Sequence, residues 1–290
     1  MSGAPEFGAE WSASLRRGSD AELRGWVMAA LGWAEEADAI ALEHFRQDVE
    51  VKRKPDRSFV TAADMAIERL VRDRVATTFP EHGVIGEEYG TDRAGAAVRW
   101  IVDPIDGTHN YLRGVPVFAT LLAVERDGEL QAGVLSAPAL NRRWHAWRGG
   151  GAWATWSGGT AAAPRRIRVS GIGSLDEAQV LYAGTRDVVG SGHAPGFETV
   201  LDAAWRERGL GDFWGYTLIG EGAAEAMIEV DLSIWDTAAP AVLVEEAGGR
   251  VTTFDGRRDV SGATFLATNG TIHETVRSML ITAPEGGESR

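Results

Sequence analysis

The chain has 290 residues with 44% hydrophobic content, enough for one large domain or two fused halves. Its formal net charge of −13 opposes non-specific binding to nucleic acid or an anionic membrane, because neutralising phosphate needs clustered Lys and Arg. The absence of cysteine rules out disulfides, zinc–thiolate sites and a cysteine nucleophile, and no apolar run approaches the roughly 20 residues of a membrane span.

Residues 1–18, with Gly3, Pro5, Gly8 and Gly18, read as a flexible lead without a basic-then-apolar leader pattern. The first helix signal covers 20–46. Ser19 or Asp20 can cap it, and Leu23, Val27, Ala30, Leu31, Ala34, Ala37, Ala41 and Leu42 recur at helical spacing. Val49 to Asp56 alternates and then turns at Pro55. Thr61 and Asp64 form a capping-box pattern that opens a helix over 62–78, with Ile67, Leu70, Val71 and Val75 as its apolar stripe. Val84-Ile85 is a short apolar step before Gly86-Glu87-Glu88. If this step pairs with the strand at Trp100, Glu87 comes to the same edge as Asp103.

The stretch Trp100-Ile101-Val102-Asp103-Pro104-Ile105-Asp106-Gly107-Thr108 begins apolar and ends in two carboxylates, a glycine and a hydroxyl. Trp100 to Val102 predicts a buried strand, and Pro104, which cannot donate to a ladder, predicts its end. Two carboxylates this close repel unless a cation lies between them, and Mg²⁺ is the usual hard ion when phosphate is the other ligand. Gly107 lets a backbone N–H approach an anion, and the Thr108 hydroxyl can orient a water. An ordinary Asp-Gly turn capping a helix is the competing reading of this stretch.

A β-rich run follows: Val117 to Val124, a hairpin turn at Asp127-Gly128, Glu129 to Ala137, Arg142 to Trp147, Ala152 to Trp156 and Arg166 to Val169. Gly149-Gly150-Gly151 lacks a following helix start and reads as a turn; Trp144, Trp147, Trp153 and Trp156 read as sheet packing. A boundary falls at 170–174, giving an N-terminal α+β unit over 19–172 and a C-terminal α/β unit over 173–282. In the second unit the expected order is strand 180–183, helix 197–208, a turn with a short strand over 209–213, helix 217–224, strand 226–230, helix 237–247 capped by Asp236, strands 250–254 and 264–267, and a helix over 272–280. Residues 283–290 read as a disordered tail.

Four of these motifs, in this order, resemble the inositol monophosphatase family: Thr61-Ala62-Ala63-Asp64; Gly86-Glu87-Glu88; Asp103-Pro104-Ile105-Asp106-Gly107-Thr108 with Asn110; and Trp235-Asp236 with Ala238-Ala239 and Glu246-Ala247-Gly248-Gly249. The resemblance spans about residues 20–280. It implies a layered αβαβα sandwich of the inositol monophosphatase/fructose-1,6-bisphosphatase type, and a lithium-sensitive, Mg²⁺-dependent phosphomonoesterase. It further implies a first ion held by Glu87, Asp103 and the Ile105 carbonyl, a second by Asp103, Asp106 and Asp236, and a third, weaker ion near Glu87 with Asp64 in its outer shell. Gly107 and Thr108 would give backbone N–H groups to the phosphate, and Thr108 and Glu87 would orient the attacking water. A cytoplasmic homodimer acting on a small phosphomonoester, with no nucleic-acid or membrane partner, completes the expectation.

Within the family the chain looks most like the actinobacterial-type histidinol-phosphate phosphatase branch. The resembling stretches are Lys54-Pro55-Asp56, Tyr111 to Pro116, Val134 to Leu140 with Arg142-Arg143-Trp144, and Gly211-Asp212-Phe213-Trp214. His109, where that branch usually carries Lys, and Pro240 are departures. Alignment backwards from Asp236 puts Glu229 and Asp212 at the substrate's organic half. Two carboxylates suit an ammonium group, and Trp214 suits a ring or a cation. The alternatives are an inositol-1-phosphate phosphatase and a non-catalytic, partner-binding member of the family.

Overall fold

A computed structural model describes residues 21–46, 51–53, 59–156 and 163–281. The expected flexible lead, disordered tail and Lys54-Pro55-Asp56 turn lie outside these residues. In chain order the elements are α1 (Ala21–His44), β1 (Val51–Arg53), β2 (Phe59–Thr61), α2 (Ala62–Thr78), β3 (Gly83–Gly86), β4 (Gly90–Asp92), β5 (Val98–Asp106), α3 (Thr108–Leu112), β6 (Ala119–Arg126), β7 (Glu129–Ala137), β8 (Arg142–Trp147), β9 (Gly151–Trp156) and β10 (Arg165–Ile167). They continue with β11 (Gln179–Tyr182), α4 (Thr185–Gly190), α5 (Ala194–Ala203), β12 (Arg206–Gly209), α6 (Asp212–Gly220), β13 (Ala226–Val230), α7 (Ile234–Glu246), β14 (Arg250–Thr252), β15 (Thr264–Thr268) and α8 (His273–Ile281).

Strands β3 to β10 form an eight-stranded sheet in the order β10-β9-β8-β7-β6-β5-β3-β4, and β11 to β15 a five-stranded sheet in the order β12-β11-β13-β15-β14. Within the antiparallel meander, β6 to β9 are joined by short turns. At Asp127 (φ 53°) and Gly128 (φ 82°), both residues take the left-handed conformation that matches the twist of a two-residue hairpin. Each sheet is covered on both faces. Helix α1 buries Trp26, Val27, Ala30, Trp33 and Ala34 against Trp100, Val124, Trp147 and Trp153 on one face of the large sheet. Its other face and the inner face of the small sheet share one core, in which Ala238, Ala239, Val242 and Leu243 of α7 and Phe213 and Tyr216 of α6 meet Leu121, Leu135, Met227 and Phe265. Val188, Phe197, Val200, Val276 and Leu280 from α4, α5 and α8 close the outer face of the small sheet. The result is the expected five-layer αβαβα sandwich.

Helix α7 packs closely on the large sheet because β7 carries Gly133: a Cβ there would lie 2.7 Å from the Ala239 carbonyl oxygen. Four expectations need correction. Strand β5 does not stop before Pro104 but runs to Asp106. Its register against β6 shifts between Asp103 and Asp106, so proline sits in a bulge where its missing N–H breaks no regular ladder. The helix expected over 197–208 is α5, which ends at Ala203; Arg206–Gly209 instead pairs in parallel with β11 as an edge strand. Helix α6 starts at Asp212 rather than Thr217, because Asp212 takes a left-handed φ of 58° and turns the chain into it. Helix α7 starts at Ile234, and Ser233, not Asp236, is its N-cap. Pro240 consequently lies well inside that helix, where it lacks the N–H that would bond the Asp236 carbonyl.

Candidate active site

In a regular strand, residues three apart face opposite sides. The bulge in β5 adds the residue that puts Asp103 and Asp106 on the same side, and α7 brings Asp236 to them. One carboxylate oxygen from each of the three lies within 4.8 Å of the others. Asp236 is fixed as the third residue of a capping box, its Oδ2 accepting from the Ser233 N–H at 2.7 Å. One Asp106 oxygen accepts from the Phe213 N–H, the second residue of α6, at 2.6 Å.

Two further acids face this cluster. The Glu87 N–H donates to the Val102 carbonyl at 3.3 Å and extends the parallel pairing of β3 with β5, which sets Glu87 beside Asp103. Asp64 completes the capping box of α2. It accepts from the Thr61 N–H at 2.8 Å and the Thr61 hydroxyl at 2.5 Å, and its buried Oδ1 has no partner among the described residues.

Burial, then the charges of Glu87, Asp106, Asp236 and Asp64, push the Asp103 carboxyl well above the usual carboxylate range. Burial and then Asp212 and Asp236 do the same to Asp106, against the Phe213 N–H. Asp64 is raised to about 6 by burial, a rise that its Thr61 hydrogen bonds oppose. Asp236 is also raised to about 6 by burial, against the Ser233 N–H and with the charge of Glu87. So many buried acids converging, each raising the pKa of its neighbours, form a site that suits a cation. The donors are all carboxylate oxygens, and the buried Asp103 Oδ1 has no partner among the described residues. Such a donor set fits a hard divalent ion of the Mg²⁺ kind rather than a thiophilic metal.

Gly107 (φ 81°) leads into the five-residue helix α3, and a Cβ there would lie 3.0 Å from the Val117 carbonyl oxygen. The Thr108 hydroxyl donates to the Ile105 carbonyl at 2.9 Å. Across from them, Asp212 Oδ2 accepts from Asn110 Nδ2 at 3.1 Å. Glu229, on β13, is 4% exposed, accepts the Tyr216 hydroxyl and is raised to about 8, by burial first and then by Asp212 and Asp236 against that hydrogen bond. Trp214 is half-buried against the shared core, and its indole N–H has no partner among the described residues.

Three residues around the site escaped sequence reasoning. Asn110 was visible only as part of a motif, with no partner assigned. Tyr216 lies on α6, whose start the sequence misplaced. Glu68 is 0% exposed on the apolar face of α2, four residues after Asp64, and the one available signal was an acid on the stripe of Ile67 and Val71.

The profile of the inositol monophosphatase family matches residues 22–283. The chain is 42% identical to the histidinol-phosphatase of Mycobacterium tuberculosis over 255 residues, covering 88% of this chain and 97% of that protein. It is 32% identical to the inositol-1-monophosphatase of Rhizobium meliloti, covering 81% of this chain and 87% of that protein. The crystal structure of the extragenic suppressor protein SuhB from Bartonella henselae superposes with a TM-score of 0.80 at 26% identity, over 89% of this chain and 98% of that one.

Proposed function

The chain belongs to the inositol monophosphatase family, and from that membership we propose that it hydrolyses L-histidinol phosphate to L-histidinol and phosphate, a step of histidine biosynthesis. The observation that carries the substrate is the 42% identity to a histidinol-phosphatase across 97% of that enzyme's length. The buried oxygen cluster of Asp103, Asp106 and Asp236 supports the reaction.

In this reading Glu87, Asp103, the Ile105 carbonyl, Asp106 and Asp236 hold two Mg²⁺ ions, with Asp64 in the outer shell of a third. Bound there, Mg²⁺ supplies Lewis acidity toward the phosphate oxygens and lowers the pKa of the attacking water. The chain's own residues position the reactants. The Thr108 hydroxyl, already donating to Ile105, has lone pairs left to accept from the water, and the Glu87 carboxylate takes its proton. The Gly107 and Thr108 N–H groups hold the phosphate, and the glycine allows the close approach. Asp212 and Glu229 face the ammonium of the organic half, and Trp214 packs beside the imidazole. The protein works as a cytoplasmic homodimer on this small phosphomonoester, without a nucleic-acid or membrane partner.

Phosphate release from L-histidinol phosphate and from inositol 1-phosphate by the purified protein in Mg²⁺ tests the proposal. A kcat/KM at least tenfold higher for histidinol phosphate is expected. The reverse ratio would assign the inositol phosphate, and no release from either would assign a binding role.

A further inference from the structure

Both oxygens of the buried Glu68 carboxylate are engaged, by two N–H groups of the loop that carries Glu87 and by Arg72 on its own helix. Its Oε2 accepts from the Glu88 N–H at 2.6 Å, and its Oε1 from the Tyr89 N–H at 3.1 Å and from Arg72 Nε at 2.8 Å. With three N–H donors around it and no exposed surface, Glu68 is no ligand itself. The loop fits over it because residue 86 is glycine: a Cβ there would lie 2.1 Å from Glu68 Oε1. Arg72 continues the connection by donating to the Gly90 carbonyl at the start of β4 and lies 5.8 Å from the centre of the Tyr89 ring. The peptides on both sides of Glu87 are therefore anchored, the Glu87 N–H on Val102 and the Glu88 N–H on Glu68.

We infer that Glu68, braced by Arg72, is a positioning residue that holds Glu87 toward Asp103 and so sets the affinity of the site for its divalent ion. An i,i+4 pair on a helix surface adds little to stability. This carboxylate instead lies under a loop with two of that loop's N–H groups aimed at it, the arrangement by which outer groups orient metal ligands. In Glu68→Gln the amide would present an N–H₂ group to one of those backbone donors, and the loop would shift. The inference rests on the proposed role of Glu87 as a ligand.

The test is Mg²⁺ titration calorimetry on the full, EDTA-stripped protein, with melting temperature measured in EDTA as the index of structure. Glu87→Gln serves as the reference for the ligand role. Glu68→Gln is expected to weaken Mg²⁺ binding by roughly 10- to 100-fold, the range for groups that orient a ligand. Arg72→Met keeps the aliphatic stem and is expected to weaken it several-fold. A folded Glu68→Gln with wild-type Mg²⁺ affinity, beside a weakened Glu87→Gln, overturns the inference and leaves the ligand role standing. Wild-type affinity in Glu87→Gln overturns both. If Glu68→Gln does not fold, Arg72→Met decides: unchanged affinity overturns the inference, and weaker binding with an unchanged melting temperature supports it.

Discussion

Replacing Asp103 by Asn should make the metal-free protein more stable while abolishing its turnover. Two unit charges 4.8 Å apart, the outer limit for the Asp103–Asp106–Asp236 oxygens, repel by about 3 kcal/mol at an effective dielectric of roughly 20. Asp236 is only half-buried, so water screens part of this, and a net gain of about 2 kcal/mol is expected on neutralising residue 103. The pH dependence carries the sign. Asp64 and Asp236 are raised to about 6, so the cost of charging them is absent below about pH 4 and fully present above pH 6. The metal-free wild type therefore loses stability as pH rises through that window, and Asp103→Asn loses less because it removes the cost of charging the buried Asp103 carboxyl itself. Thermal melts in EDTA should place the variant about 4 °C above wild type at pH 8 and nearer to it at pH 5. In millimolar Mg²⁺ the order should reverse, because only wild type gains binding energy. A variant less stable than wild type in EDTA at pH 8, or one that still releases phosphate, would refute the electrostatic account of the site.

His145 is fully buried and held neutral, its pKa lowered to about 3 by burial and the Arg143 charge. Its contribution is complete above about pH 6.5 and is lost as pH falls toward 3. Wild type should therefore lose about 2 kcal/mol more than His145→Leu between pH 7 and pH 5 in denaturant melts. Equal slopes would refute the assignment. Gly133→Ala should cost about 1–3 kcal/mol by driving a methyl against Ala239, and should reduce kcat by moving Asp236 on the same helix. Unchanged denaturation midpoints would show that α7 relaxes freely. Asp212→Asn, which tolerates the left-handed backbone, should raise KM for histidinol phosphate about tenfold, with a smaller change in kcat; an unaltered KM would remove Asp212 from substrate binding. Lithium in the tens of millimolar should inhibit phosphate release, and insensitivity to about a hundred millimolar would argue against the family mechanism.

The parts of the fold legible in the sequence are those in which local pattern and tertiary environment agree. The helix over 62–78 was bounded by its capping box and apolar stripe, and the Asp127-Gly128 hairpin by the only chemistry that a two-residue turn of that twist accepts. The misreadings fall where long-range pairing overrides local pattern. Arg206–Gly209 is a strand only because β11 lies beside it, and Pro104 is tolerated only because β6 accommodates a bulge there. The acids of the site were readable because buried chemistry leaves Asp and Glu beside Gly and apolar steps. Glu68 was not, because its use depends on a loop twenty residues downstream that folds back over α2.

The oxygen cluster joins a strand from early in the chain to a helix from near its end. During synthesis on the ribosome, Asp103 and Asp106 emerge long before Asp236. The nascent chain thus passes through an extended interval with its acids assembled on one side only. Completion of the three-acid cluster must wait until α7 has left the exit tunnel and packed against Gly133. Loading of the ion assigned to Asp103, Asp106 and Asp236 is then a late event of biogenesis, and a truncated product that stops short of α7 would emerge with that position incomplete.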